Sequence, residues 1–155
     1  MNEWTENPSL RGHMEAVAAC MGFYAGQLEP AEVEQWWVTG LLHDFDYEKH
    51  PGEEEHPFVG VEHLRGLGVD EGILSAILGH AEYSGTPRET AMAKALFAVD
   101  ELAGFIVACA KVRPNGISDL KPKSVKKKLK DKRFAAAVSR EDISQGIEEL
   151  GVDTT

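Results

Sequence analysis

The chain has 155 residues, of which 43% are hydrophobic and 27% charged, a composition that excludes a disordered polymer and allows one buried core. Its formal net charge of −10 disfavours a nucleic-acid backbone as the main partner, because phosphate neutralisation needs a basic surface. Since no apolar run approaches the ~18 residues of a membrane span and the polar start is unlike a signal peptide, we expect a cytoplasmic protein with no membrane partner.

Apolar residues recur at helical spacing through most of the chain, and no segment alternates long enough to predict a strand. Asn7 and Pro8 predict the N-cap and first residue of a helix that ends at Gly26. Pro30 begins a second helix, whose apolar stripe includes His43. A charged loop with a Pro-Gly turn follows this helix.

The third helix is predicted to begin near Pro57 and to end by residue 66 or 68. Asp70 caps a fourth helix, and Thr86 and Pro87 begin a long fifth one. After Arg113 the pattern weakens, and two further helices are predicted over residues 122–130 and 140–150, the second capped by residue 139. We therefore predict an all-α single domain of about six to eight helices.

Polar residues stand on faces that are otherwise apolar. They are His13, the His43-Asp44 pair, His80 and Asp100. A buried carboxylate without a partner is costly, and imidazoles that meet carboxylates in a helical core are explained most simply by a divalent cation. Each residue also has a plainer interpretation, as a hydrogen-bonded core histidine or as a half-exposed cap or ion-pair partner.

The order of these residues resembles the HD-domain superfamily. His13 comes first, His43 and Asp44 follow within "GLLHDFDYEKH", and Asp100 lies within "ALFAVDELAG". The resemblance covers residues 8–108 and implies an all-helical metal enzyme, most often a phosphohydrolase, in which these four side chains hold a metal. We predict that residues 1–155 form one HD domain of the helical-bundle type, with a basic helical segment at 111–150.

Two further segments resemble members of this superfamily that bind two metals. They are "EEHPFVGVEHL" and "AILGHAEYSG", which would add His56 and His80 as ligands, with Asp44 bridging both ions. These members often carry His-His where this chain has His80-Ala81, and they carry Ile-Gly where this chain has Asp46 and Tyr47. His56 could instead cap a helix.

The two remaining histidines receive no catalytic role. His63 is predicted to be a surface or packing residue, since family members usually have an aliphatic residue there. His50 lies in the acidic loop. The two cysteines, Cys20 and Cys109, lie in apolar runs far apart in the chain, and we expect two reduced thiols.

The charge is distributed unevenly. Residues 111–133 hold ten Lys or Arg and two Asp, a balance of +8, so the other residues carry −18. The plain interpretation is a solvated face, and nucleic-acid binding is disfavoured because aromatic residues are not interleaved. Positive charge could also draw an anionic substrate to the site. The candidate phosphate contacts are Arg113, Lys126, Lys127 and, on the fifth helix, Lys94.

The leading functional hypothesis is a metal-dependent phosphohydrolase acting on a nucleotide or another small phosphorylated substrate. One or two divalent ions, with Mn, Fe, Co, Ni, Zn and Mg all compatible, would lower the pKa of bound water. Asp44 would be the central catalytic residue, and Glu82, or Glu53 from the loop, would protonate the leaving group. The alternatives are a di-iron HD-type oxygenase and a regulatory domain that binds a nucleotide without turnover.

Overall fold

The computed structural model describes residues 3–152, which form seven α-helices and contain no strand. The all-α prediction is therefore confirmed. The helices are α1 (Pro8–Leu28), α2 (Val33–Leu42), α3 (Phe58–Gly66), α4 (Glu71–His80), α5 (Ala91–Lys111), α6 (Pro122–Leu129) and α7 (Arg140–Leu150). Short 3-10 turns lie at Pro30–Glu32, Glu82–Ser84 and Gly116–Asp119.

Three helices begin at the caps that the sequence predicts. The Asn7 side chain accepts hydrogen bonds from two backbone amides in the first turn of α1. Asp70 caps α4 and Ser139 caps α7 in the same way. Because each cap satisfies amides that have no partner inside the helix, these side chains define where the helices begin.

The start of α5 differs from the prediction. The helix begins at Ala91, with Thr90 as its cap, and not at residues 86–87. The Arg88 guanidinium donates to the Gly79 carbonyl at 2.8 Å and forms an ion pair with Glu149 at 2.7 Å. These contacts hold the segment before Thr90 against α4 and α7 instead of letting it continue the helix.

The main core lies where α1 packs against α2 and α5, and where α4 packs against α5. Close approach of α1 and α2 depends on Gly40, because a Cβ atom there would lie 2.8 Å from the Cα atom of Ala18. The largest fully buried apolar side chains of this core are Trp36, Met14, Met21, Leu74, Ile77 and Leu96. The polar residues of the predicted site lie among these same helices.

A smaller core joins the C-terminal segment to α5. Phe105, Cys109 and Ile143 are buried in it, and partly buried apolar residues of α6 and of the following loop pack against them. Helix α7 approaches α5 closely at Gly146, where a Cβ atom would lie 2.5 Å from the Cα atom of Ala98. The C-terminal segment therefore packs against the helix that carries Asp100. None of the helices within residues 3–152 is long and apolar enough to cross a membrane.

Candidate metal centre

Five separate elements bring the six predicted ligands together. Most of the ligands lie at helix ends, where a side chain can turn into the space between helices. Helix α1 carries His13, and α5 carries Asp100 near its middle. His43 and Asp44 directly follow α2, His56 precedes α3, and His80 is the last residue of α4.

The first group of ligands is formed by His13, His43 and Asp100, which offer ligand atoms within 4.8 Å of one another. His13 Nε2 lies 2.9 Å from Asp100 Oδ1. His43 Nε2 lies 3.4 Å from the same carboxylate oxygen. Two imidazoles and one carboxylate thus point at a common centre, a donor set that suits a divalent transition metal.

The second group is formed by Asp44, His56 and His80, whose ligand atoms meet the same 4.8 Å limit. Asp44 Oδ1 lies 3.3 Å from His56 Nε2 and 3.4 Å from His80 Nε2. The two imidazole nitrogens are 3.3 Å apart. Both histidines are buried, so little of either ring contacts bulk solvent.

Asp44 joins the two groups through its two carboxylate oxygens. Its Oδ2 atom faces the first group, at 3.3 Å from His43 Nε2 and 3.6 Å from His13 Nε2. Its Oδ1 atom faces the second group. One carboxylate therefore lies between two sets of nitrogen donors, an arrangement that can bridge two ions.

The backbone orients two of the histidines. His43 Nδ1 donates to the Gly40 carbonyl at 2.7 Å, and His80 Nδ1 donates to the Ile77 carbonyl. Because a carbonyl oxygen can only accept, the proton of each ring lies on Nδ1, and Nε2 is left as a ligand atom. Both rings are thus presented with the tautomer that metal binding needs.

A carboxylate orients the third histidine. Asp46 is only 1% exposed, and its Oδ1 atom accepts a hydrogen bond from His56 Nδ1 at 2.8 Å. Its other oxygen accepts from the Gly60 amide, also at 2.8 Å. Asp46 was not among the predicted site residues. The available signal was its departure from the Ile-Gly that usually follows the doublet.

The electrostatics of the cluster show a need for positive charge. Burial lowers the pKa of His43, but the charges of Asp44 and Asp100 outweigh this effect and raise the pKa well above its usual value. For Asp44 and Asp100, burial raises the pKa, but the charge of His43 outweighs it, so both values fall below their usual range. Burial also lowers the pKa of His56, but hydrogen bonds to Asp44 and Asp46 raise it to about 9. The carboxylates therefore favour positive charge at His43 and His56.

The residues present fit a bound divalent metal. His43 Nε2 is fully buried and makes no hydrogen bond, although it points at two carboxylates. A buried ring nitrogen without a partner is rare in folded proteins and needs an explanation. A cation between His43, Asp44 and Asp100 would supply that partner and would balance the carboxylate charge.

A cavity of about 450 Å³ opens onto this cluster. Beyond the metal-binding side chains it is lined by aromatic and acidic residues. The principal ones are Tyr47, Tyr83, Phe97, Glu82, Glu101 and Asp142. Burial and the charge of Asp44 raise the pKa of Tyr83 to about 12, so its phenol keeps its proton at neutral pH and can donate to a ligand.

The four cations proposed for substrate binding lie away from this cavity. Arg113 is held by the Asp119 carboxylate at 3.1 Å. Lys126 lines a separate apolar groove formed with α5 and α7, and Lys94 lines a pocket beside Glu149. Neither they nor Lys127 line the cavity at the metal centre. No residue of the basic segment 111–133 therefore lines this cavity. Helix α6 packs against a part of α5 that lies beyond Asp100.

Glu82, the proposed proton donor, does line the cavity. Its Oε1 atom accepts hydrogen bonds from Arg88 at 2.6 Å and from Gln145 at 2.8 Å, which tie this loop to α7. Glu53, the alternative, is exposed and does not line the cavity. The other two histidines lie elsewhere: His63 packs against Trp4, and His50 contacts a carboxylate of the acidic loop.

Comparison with known proteins gives one finding. The family model described as HD domain matches residues 10–104, a range that covers α2, α3 and α4, most of α1 and α5, and all six ligands. Searches of the curated proteins and of the solved structures returned no significant match.

Proposed function

The chain belongs to the HD-domain family, and on this premise we propose that it is a metal-dependent hydrolase of small phosphoesters. The observation that carries the proposal is the position of Asp44, whose two oxygens face two separate groups of imidazole donors. Such a centre suits two ions that act together on one phosphoryl group. In this role His13, His43 and Asp100 would hold the first ion, His56 and His80 would hold the second, and Asp44 would be shared between them.

Divalent ions held by these residues supply Lewis acidity, which neutralises phosphoryl oxygens and makes water a stronger acid. The chain's own contribution is orientation. The Nδ1 hydrogen bonds to Gly40, Asp46 and Ile77 hold three imidazole rings in place before any ligand arrives. Pre-oriented groups pay no reorganisation cost during the reaction.

The cavity wall would position the substrate. The protonated phenol of Tyr83 is placed to donate a hydrogen bond to a phosphoryl or leaving-group oxygen. Tyr47 packs edge-on against the His56 ring and forms part of the same wall. Both tyrosines are roughly half exposed, so a substrate would reach the metal centre by passing between aromatic surfaces.

The test is phosphate release from a panel of phosphomonoesters, nucleotides and phosphodiesters by protein loaded with Mn, Fe, Co, Ni or Mg. We expect metal-dependent release that Asp44→Ala abolishes and that His63→Ala retains, since His63 lies outside the cluster. Absence of release from every substrate, with metal bound and the fold intact, would contradict the proposal.

The same ligand set favours a second candidate, because imidazole and carboxylate donors also suit a pair of irons. An iron-dependent oxygenase would consume oxygen in the presence of its substrate, whereas a hydrolase would not. Oxygen-electrode measurements on iron-loaded protein with the same panel separate the two. Tight nucleotide binding with neither product nor oxygen uptake would instead support a regulatory domain.

A further inference from the structure

The wall of the metal-site cavity carries an unusual balance of charge. Beyond the metal-binding side chains it includes three carboxylates, from Glu82, Glu101 and Asp142. Among residues 3–152, no lysine or arginine lines it. A site for a highly anionic substrate normally places cations on the wall to bind phosphate oxygens. This wall therefore offers no lysine or arginine to a second phosphate group of a substrate.

Only one of the three carboxylates is neutralised by the protein. Glu82 forms an ion pair with Arg88 at 2.6 Å. Glu101 and Asp142 form no salt bridge within the described part of the chain. These two side chains are the uncompensated acidic groups of the cavity wall.

Ser139 contacts both residues, the carboxylate of Glu101 and the backbone amide of Asp142. Its backbone amide donates to Glu101 Oε2 at 3.1 Å. Its hydroxyl accepts from the Asp142 amide, also at 3.1 Å, as the N-cap of α7. One residue thus joins the middle of α5, next to Asp100, to the first turn of α7, and both acidic residues line the cavity at this junction.

The metal centre and this acidic end would meet different parts of one substrate. Two divalent ions would bring four positive charges, and the buried or part-buried carboxylates of Asp44, Asp46 and Asp100 would offset three of them. The centre would therefore keep a positive charge to attract an anionic phosphoryl group. The acidic end of the cavity, with Glu101 and Asp142, would then be available to the leaving group.

We propose that the substrate is a phosphomonoester whose leaving group carries a cationic amine, which Glu101 and Asp142 bind. The proposal rests on the proposed function, and it narrows the substrate class of that same site. The phenol rings of Tyr47 and Tyr83 add aromatic faces to the cavity, which also suit an alkylammonium group. Nucleoside diphosphates and triphosphates are disfavoured, because their extra charge would meet no cation on this wall.

The test uses three phosphonates of similar length. A phosphonate has a carbon–phosphorus bond in place of the ester bond, so a phosphoesterase cannot hydrolyse it. They are 3-aminopropylphosphonate, butylphosphonate and 2-carboxyethylphosphonate. Their dissociation constants are measured by isothermal titration calorimetry on metal-loaded protein. We expect the amine to bind about tenfold more tightly than the butyl compound, and the carboxylate to bind most weakly.

Variants of Glu101 and Asp142 test whether these two residues cause the preference for the amine. The double substitution Glu101→Gln and Asp142→Asn keeps the size of both side chains, and we expect it to remove the difference between the three ligands. Glu141→Gln is the matched control, because Glu141 is exposed in the same turn of α7 and does not line the cavity. If the double variant does not fold, Asp142→Asn alone should reduce the preference for the amine.

Three results would overturn the inference. They are equal or reversed affinities in the wild-type protein, a preference that survives in the folded double variant, and failure of the three ligands to bind at all. These outcomes differ from failure of the proposed function, in which metal-loaded protein releases no phosphate from any ester, whatever the order of phosphonate affinities.

Discussion

Replacing Asp46 by asparagine tests whether a buried carboxylate orients the His56 ligand. The two Asp46 oxygens accept hydrogen bonds from His56 Nδ1 and from the Gly60 amide, both at 2.8 Å. An amide keeps one acceptor and replaces the other with an NH₂ group, so one buried donor would then face another donor. Leaving a buried group unsatisfied costs about 1–3 kcal/mol. For a chain of this size each kcal/mol lowers Tm by roughly 2–4 °C.

The same substitution should weaken metal binding. When a metal-binding histidine loses its outer hydrogen-bond partner, affinity for the metal falls by about 10–100-fold. Calorimetric titration with Mn²⁺ at neutral pH measures this loss of metal affinity. Thermal unfolding in the presence of a chelator separately measures the change in Tm of the metal-free protein. Glu54→Gln is the control, because Glu54 is an exposed acid of the nearby loop. An Asp46→Asn protein with unchanged metal affinity would refute the orienting role.

Three further predictions follow from other contacts. Gly40→Ala should destabilise the fold by about 1–3 kcal/mol, because the new Cβ atom would lie 2.8 Å from the α1 backbone. Gly26→Ala is the control and should not destabilise the fold, because the space around Gly26 is open. Chemical denaturation measures the free energy of unfolding of both variants. The Arg88 hydrogen bond lowers the pKa of Glu149 to about 2, so this pair stabilises the fold above the unfolded-state pKa and loses that effect as pH falls towards 2. Glu149→Gln should therefore flatten the acid side of a Tm–pH profile. His80→Ala should reduce bound metal from two ions to one, as seen by elemental analysis.

Local signals were sufficient to predict much of the helical framework. Asn7, Asp70 and Ser139 cap helices where their short polar side chains precede an apolar periodic run. The predicted start of α5 was wrong, because Thr86 and Pro87 are also a residue pair typical of a helix start. What prevents a helix there is the contact of Arg88 with α4 and α7, which lies far away in sequence.

The candidate site divides in a similar way. The order and spacing of His13, His43-Asp44 and Asp100 matched a known pattern, and the structure places them together. Asp46 could not be placed from periodicity, because it lies in a turn between two helices. The basic segment directly follows the fifth helix in sequence, and this position suggested that its cations would lie at the site. They do not line the cavity. Tertiary packing instead brings Asp142 to the cavity.

The most direct test of the account is the metal content of the purified protein and of its Asp44→Ala variant, determined by elemental mass spectrometry without added chelator. Circular dichroism would establish that both are folded. The account predicts two divalent ions per wild-type chain and a loss of bound metal in the variant, because Asp44 contacts both groups of ligands. A wild-type protein that binds no divalent metal when offered it, or a folded variant that keeps both ions, would contradict the central claim.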